Sequence, residues 1–156
     1  MIQRIQSLFL FLVVILGILM FFSPLASFFS EMHNLKLYVY KLENMVPGSE
    51  IQFGFTTILP LLLFNIAITL LSGYTIFLYK NRILQIKLIR FCMLLNMFII
   101  VGVFFLYPRL IETRVEGETE FGFSAYLPLV SLLFLYLANR YILKDEKLVR
   151  SIDRLR

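Results

Sequence analysis

Side chains able to do acid–base or metal chemistry are few and scattered in this chain of 156 residues. His33 is the only histidine and Cys92 the only cysteine, so no Ser–His, Cys–His or metal-ligand cluster is visible. Four acids of one strand-like stretch mostly alternate, which predicts a wet sheet face and not an acid pair: Glu112, Glu116, Glu118 and Glu120. We therefore expect no catalytic residue, no metal, no cofactor and no enzymatic activity.

A second set of polar residues is embedded in apolar sequence. Asn65, Thr69, Ser72 and Gly73 recur at spacings of three and four, so they share one face of a helix. Asn96 lies in the next apolar run. Such residues commonly join helices in lipid, and the alternative is a polar path for a substrate. Three of them are the candidate intramembrane polar contacts: Asn65, Thr69 and Asn96.

The apolar runs that hold these residues predict an all-α membrane protein. The chain is 60% hydrophobic and 16% charged, against about a half and a quarter in soluble domains. Four runs reach the ~20 residues that cross a bilayer: residues 7–29, 55–79, 88–107 and 123–142. We expect one integral membrane domain over residues 1–156. For the first run the alternative is a secretory signal, with Arg4, an apolar core and small residues near Ala26.

One sequence pattern occurs twice. Phe53-Gly54-Phe55 precedes Pro60 by the same spacing as Phe121-Gly122-Phe123 precedes Pro128, and each opens an apolar run. The first and third runs each end at a proline, Pro24 and Pro108. The repeat predicts two tandem helical hairpins, with each glycine at a corner where a strand becomes a helix and a residue without Cβ is favoured. A ligand-binding Phe-Gly-Phe box is the alternative.

The charges are distributed unequally between the connections. Eleven of the fifteen basic residues lie in the N-terminal segment, the middle connection and the tail, whereas the two other connections hold seven of the ten acids. The positive-inside rule then places both termini and the middle connection in the cytoplasm. The net charge of +5 predicts contact with anionic headgroups and not with nucleic acid.

The two outer segments, residues 30–54 and 108–122, read as hairpins. Residues 35–42 are rich in strand formers, Pro47 and Gly48 suit a type II turn, and residues 51–55 form the return strand. In the second segment, residues 110–116 and 119–123 flank Gly117. We expect the two segments to pair into one small antiparallel β cap over the helices; the alternative is order through short turns alone.

The tail, residues 143–156, is rich in charge and compatible with a helix. Leu148, Ile152 and Leu155 follow helical spacing between basic residues, which predicts a helix on the membrane surface or in a partner's groove. The candidate partner or lipid contacts are Arg4, Lys147, Leu148, Arg150, Ile152, Arg154 and Leu155.

Both ends of the chain carry a resemblance. Residues 1–6 (Met-Ile-Gln-Arg-Ile-Gln) and residues 144–156, which begin Lys-Asp-Glu-Lys-Leu-Val-Arg, resemble an uncharacterised family of small four-helix membrane proteins from Bacteroidota, domain of unknown function 4293. Length and span order fit as well. The resemblance implies the inner membrane of a Gram-negative bacterium, and it implies no activity, substrate or catalytic residue.

Two functions follow as hypotheses. The first is a non-catalytic accessory or scaffold subunit of a bacterial inner-membrane assembly, which docks other membrane proteins through the cytoplasmic tail or the outer cap. The alternative is a small transporter or lipid-binding protein that uses the region of Asn65 and Asn96. Membrane lipid is an expected partner in both.

Overall fold

The computed structural model is mostly helical, with a small antiparallel sheet at one end. It describes residues 3–29, 34–45, 55–79, 81–113 and 118–153, and their side chains except at residues 3, 4, 55 and 148–153. The helices are α1 Gln3–Leu19, α2 Phe55–Phe77, α3 Arg82–Val101, α4 Tyr107–Glu112 and α5 Phe123–Asp153. A π-helical turn, Gly102–Leu106, joins α3 to α4. The strands are β1 Ala26–Phe29, β2 Asn34–Leu37, β3 Leu42–Asn44 and β4 Glu118–Phe121.

Three helical stretches are long and apolar enough to cross a membrane: Thr56–Phe77, Arg82–Glu112 and Phe123–Lys147. The apolar part of α1, Ile5–Leu19, is shorter. The prediction that the first span continues to Phe29 is wrong, because Ala26–Phe29 form strand β1. The chain leaves α1 through tight turns, in which the Phe21 amide donates to the Ile18 carbonyl and the Phe22 amide to the Leu19 carbonyl. Pro24 follows, and it disfavours a helical conformation only at Ser23.

The four long helices pack in a ring. Helix α1 contacts α2 and α5, and α3 contacts the same two helices. Neighbours run antiparallel. Gln6 and Phe9 of α1 contact Asp145 and Tyr141 of α5 in turn, and Phe64 and Thr75 of α2 contact Phe98 and Gln85 of α3. Aliphatic side chains fill the interior, among them Leu10, Val13, Ile68, Ile89, Leu135 and Ile142.

The sheet draws on both outer segments, and its strand order is β3-β2-β1-β4. The small antiparallel sheet is thus confirmed, but its strands differ from the predicted ones. Residues 35–42 form parts of two strands, with a turn closed by the Tyr38 amide donating to the Lys41 carbonyl at 2.8 Å. The predicted turn at Pro47 and most of the return strand lie outside the described residues, and Phe55 belongs to α2.

Pro108 does not end the third helix, contrary to the prediction. The helix continues through Pro108 to Glu112, so the predicted strand from Leu110 is wrong. The π turn explains the continuation. The Tyr107 amide donates to the carbonyl of Gly102, five residues earlier, and this wider turn accommodates a residue that has no amide proton of its own.

The start of α3 also differs from the start of the third predicted span. Helix α3 begins at Arg82 and not near residue 88, because the Asn81 side chain accepts a hydrogen bond from the Leu84 amide at 3.2 Å and caps the helix. Pro60 and Pro128 are each the sixth residue of their helix, close to the first turn, where a missing amide proton matters least. The tail continues α5 without a break as far as Asp153.

The predicted strand-to-helix corner is present at Gly122, between β4 and α5; Gly54 lies outside the described residues. The Gly122 amide donates to the Leu25 carbonyl at 2.9 Å. A Cβ at Gly122 would overlap the backbone carbonyl oxygen of Pro24. Close approach of two backbones therefore explains the glycine.

We expect Gly122→Ala to lower the free energy of unfolding by about 1–3 kcal/mol, because the new methyl must displace the Pro24 backbone. Thermal unfolding in mild detergent measures the change. Gly73→Ala is the matched control, since its Cβ would meet only Val14, at 3.9 Å, and alanine favours a helix. Equal effects of the two substitutions would contradict the close-approach explanation.

Candidate functional site

A groove lies between α2 and the helix that runs from α3 into α4. It has a volume of about 660 Å³, within the range of ligand sites in proteins. Its apolar walls include Leu61, Phe64, Phe98, Ile99 and Leu106. We call it the α2–α3 groove.

A hydrogen bond fixes the end of this groove nearest the sheet. The Tyr107 hydroxyl donates to the Thr57 carbonyl of α2 at 2.8 Å, and the Tyr107 side chain is largely buried. Tyr107 follows the π turn directly, and Gly102 within that turn lines the groove. The irregular turn therefore sets both the position of the tyrosine and the width of the groove.

Polar groups gather at the same end. Thr56, Thr57, Arg109 and Thr113 line the groove there, and Arg109 is exposed. Pro60 has no amide proton to donate to the carbonyl of Thr56, so this helix end offers a hydrogen-bond acceptor beside the cationic guanidinium. The groove is thus apolar along most of its length and polar at one end.

Arg109 also borders an acidic surface. Glu112 and Glu118 line the adjoining depression, where the Thr119 hydroxyl donates to Glu112 at 2.5 Å. Glu118 and Glu120 are exposed on one face of β4, as the alternation predicts. Glu112 lies on α4 and not on a strand, and Glu116 and His33 lie outside the described residues. Among the described residues no three His, Cys, Asp or Glu side chains are placed to hold a metal.

A charged pair lies on the β2–β3 turn. Lys41 Nζ lies 2.7 Å from a Glu43 carboxylate oxygen and above the rings of Tyr38 and Tyr40. The hydrogen bond that Lys41 donates to the Glu43 carboxylate raises the pKa of Lys41. These contacts support the β2–β3 turn and include no second cation that would complete an anion site.

The predicted intramembrane polar residues join helices. Asn65 donates to the Gly17 carbonyl of α1 at 3.0 Å, and Asn96 donates to the Pro128 carbonyl of α5 at 3.1 Å. The Thr69 hydroxyl donates to the Asn65 carbonyl at 2.8 Å, and a Cβ at Gly17 would overlap it. Asn65 and Asn96 are both buried, and neither lines the α2–α3 groove.

The predicted shared face of α2 is divided between two neighbours. Asn65, Thr69 and Gly73 face α1, whereas Ser72 faces Cys92 of α3. Gln85 of α3 donates to the Thr75 carbonyl of α2 at 3.2 Å near the other end of the bundle. The pattern is that of helix packing, because Asn65, Ser72 and Gln85 each contact a neighbouring helix. The Thr69 hydroxyl bonds within α2 and packs against Gly17 of α1.

The predicted terminal contacts lie on α1 and α5. Lys147 is exposed on α5, whose backbone includes Leu148, Arg150 and Ile152, and Arg4 belongs to α1. Arg154 and Leu155 lie outside the described residues. The structure adds a contact that sequence reasoning missed: Gln6 donates to the Asp145 carboxylate at 2.6 Å, with both side chains less than 10% exposed. We call residues 143–153, the part of α5 beyond the predicted fourth span, the extension of α5. The bond joins the start of α1 to this extension.

Sequence reasoning also missed the α2–α3 groove. Its signal was present as Gly102 and Tyr107-Pro108 at the end of an apolar run, which we read as a helix exit. A proline that follows an apolar run fits a helix exit and a wide turn equally well. Only the packing of α4 against the sheet end of the bundle distinguishes the two.

The fold and the groove define a class: a helical protein with spans suited to a membrane, a small sheet and a lateral apolar groove. Residues 2–155 match the family described as a domain of unknown function (DUF4293), and the chain belongs to that family. No curated protein and no solved structure matches the chain.

We expect Asn65→Leu and Asn96→Leu each to lower the free energy of unfolding by roughly 0.5–2 kcal/mol, because each removes a bond between helices. Detergent-induced unfolding measures the loss. Thr75→Val is the control, because the Thr75 hydroxyl bonds only within α2, to the Leu71 carbonyl. Unchanged stability together with lost lipid binding or uptake would instead support a polar path.

Proposed function

We propose that this protein binds a membrane lipid without transforming it, and that the α2–α3 groove holds the lipid. One observation carries the proposal: an open groove of about 660 Å³ whose walls are apolar and whose polar groups gather at one end. A lipid has the same division, with an apolar chain and a polar headgroup.

Charge narrows the class of lipid. Arg109 is exposed at the polar end, and guanidinium binds phosphate well. The threonine hydroxyls and the free carbonyl beside Pro60 suit a headgroup that also carries hydroxyl or amine donors. We therefore propose a phospholipid, with its phosphate at Arg109 and one chain between Phe64 and Phe98. Movement of the lipid across the membrane would make the protein a small transporter.

The cellular setting is part of the same proposal. We place the protein in a bacterial inner membrane, in Bacteroidota, with α1 as a fourth, short span and with two tandem hairpins. Both termini are then cytoplasmic and the sheet is extracytoplasmic, which the charge distribution supports. In this orientation the α2–α3 groove receives lipid from the outer leaflet.

The chain contains no tryptophan, so a single introduced tryptophan reports on its own surroundings. We expect brominated phosphatidylglycerol to quench Leu106→Trp, in the groove, at a lower lipid fraction than Leu70→Trp on the exposed side of α2. Adding Arg109→Gln to Leu106→Trp should lower the affinity for brominated phosphatidylglycerol about fivefold, because one cation contributes about 1 kcal/mol to binding an anionic lipid. Indistinguishable quenching at positions 70 and 106 would contradict the proposed site.

We propose a second role, as a non-catalytic accessory or scaffold subunit of a membrane assembly. The sheet supports it, because β3 and β4 are edge strands in the described sheet and an edge strand can pair with a strand of another protein. The extension of α5, fastened by Gln6 and Asp145, supplies a rigid second docking surface at the opposite end of the bundle.

Purification in mild detergent tests this second role. We expect one membrane protein to co-purify at constant stoichiometry and to be lost when Glu118 and Glu120 on the exposed face of β4 are changed to lysine. Changing Lys87 and Arg90 to glutamine, both exposed near the start of α3, should leave the complex intact. A monomer with no reproducible companion would overturn the role.

A further inference from the structure

A second groove lies on the other side of α3, between α3 and α5. Its volume is about 590 Å³, and Met93, Met97, Leu129 and Leu133 are among its apolar walls. It ends at Tyr136, which also begins a smaller depression of about 380 Å³. Tyr136 lines both depressions, so the two adjoin there, and we call them together the α3–α5 groove.

The character of this groove changes sharply beyond Tyr136. Arg140, Lys144 and Lys147 line the smaller depression, and all three are exposed. They follow one another at i, i+4 and i+7, so they share one face of α5, and Leu129, Leu133 and Tyr136 continue that face. One helix face therefore carries an apolar stretch and then three cations.

The lengths of these stretches match a membrane leaflet. Leu129 and Arg140 are eleven residues apart, or about 16 Å at a helical rise of about 1.5 Å per residue. Half of a hydrocarbon layer of about 30 Å is about 15 Å. A lipid chain lying along the apolar stretch would bring its headgroup to the three cations.

Asp145 and Glu146 do not line this basic depression. Asp145 lies on the opposite side of α5 and is buried against Gln6. Glu146 is not among the residues that line the groove. Between side chains that the structure describes, the ion pair found is Lys41–Glu43, far from this end of the bundle.

We propose that the α3–α5 groove is a binding site for an anionic phospholipid of the leaflet that faces the chain termini. Its chain lies against the methionines and leucines, and its phosphate contacts Lys144 and Lys147. This site is separate from the α2–α3 groove and does not depend on the function proposed for that groove. A helix of another protein would fill the apolar stretch but would leave the cations without a counter-charge, so the charge favours lipid.

Tyr136→Trp places a unique fluorophore at the junction of the apolar and basic stretches. The protein is reconstituted in vesicles of phosphatidylcholine mixed with brominated phosphatidylglycerol or brominated phosphatidylcholine. We expect the anionic lipid to be preferred about fivefold or more, since one cation near the surface contributes about that factor. Adding Lys144→Gln and Lys147→Gln, which leaves Arg140 in place, should lower the preference by about fivefold or more.

Lys87→Gln with Arg90→Gln is the matched control in the same Tyr136→Trp background. It removes the same number of exposed charges from α3, outside the groove. We expect it to keep the preference. Equal loss from both double substitutions would overturn the site in favour of general surface attraction. An absence of preference, or a tryptophan that brominated lipid does not quench, would also overturn it, and the latter would indicate that protein covers the groove.

Discussion

Strand β1 joins the two halves of the chain, and most of the architecture depends on that junction. It pairs with β2 of its own segment and with β4 of the second segment. Just before it, Leu25 donates to the Leu37 carbonyl and accepts from the Gly122 amide. These backbone hydrogen bonds at the end of the bundle help to hold the helices in register. The missing Cβ of Gly122 permits this approach.

Hydrogen bonds from buried polar side chains also join the helices within the bundle. Asn65 and Asn96 each reach a backbone carbonyl on a neighbouring helix, and Gln6 reaches a buried carboxylate. A buried amide without a partner would be costly, so these residues are best explained by packing. The proposed functions therefore use the surface of the bundle. The two proposed lipid grooves lie on either side of α3, and the basic residues that line each groove lie at one of its ends.

Prolines show how far sequence alone could go. Pro24 and Pro108 look equivalent, since each follows an apolar run that ends in aromatic residues. The first lies five residues beyond the end of α1 and leads into a strand, whereas the second lies inside a helix that continues through a π turn. Hydropathy predicts which residues can lie in lipid. It does not predict whether the chain continues as a helix or becomes a strand where an apolar run ends. The grooves were missed for the same reason, because a concavity depends on the distance between helices.

The sequence by itself determined the membrane-suited helices, the presence of a small sheet and the glycine corner, because these follow from local composition and backbone sterics. The residues at the two ends of the chain also indicated the family to which it belongs. Tertiary structure alone decided which strands pair, that the helix continues past Pro108, and that Gln6 meets Asp145. Those outcomes depend on contacts between residues far apart in the chain, and no local pattern encodes them.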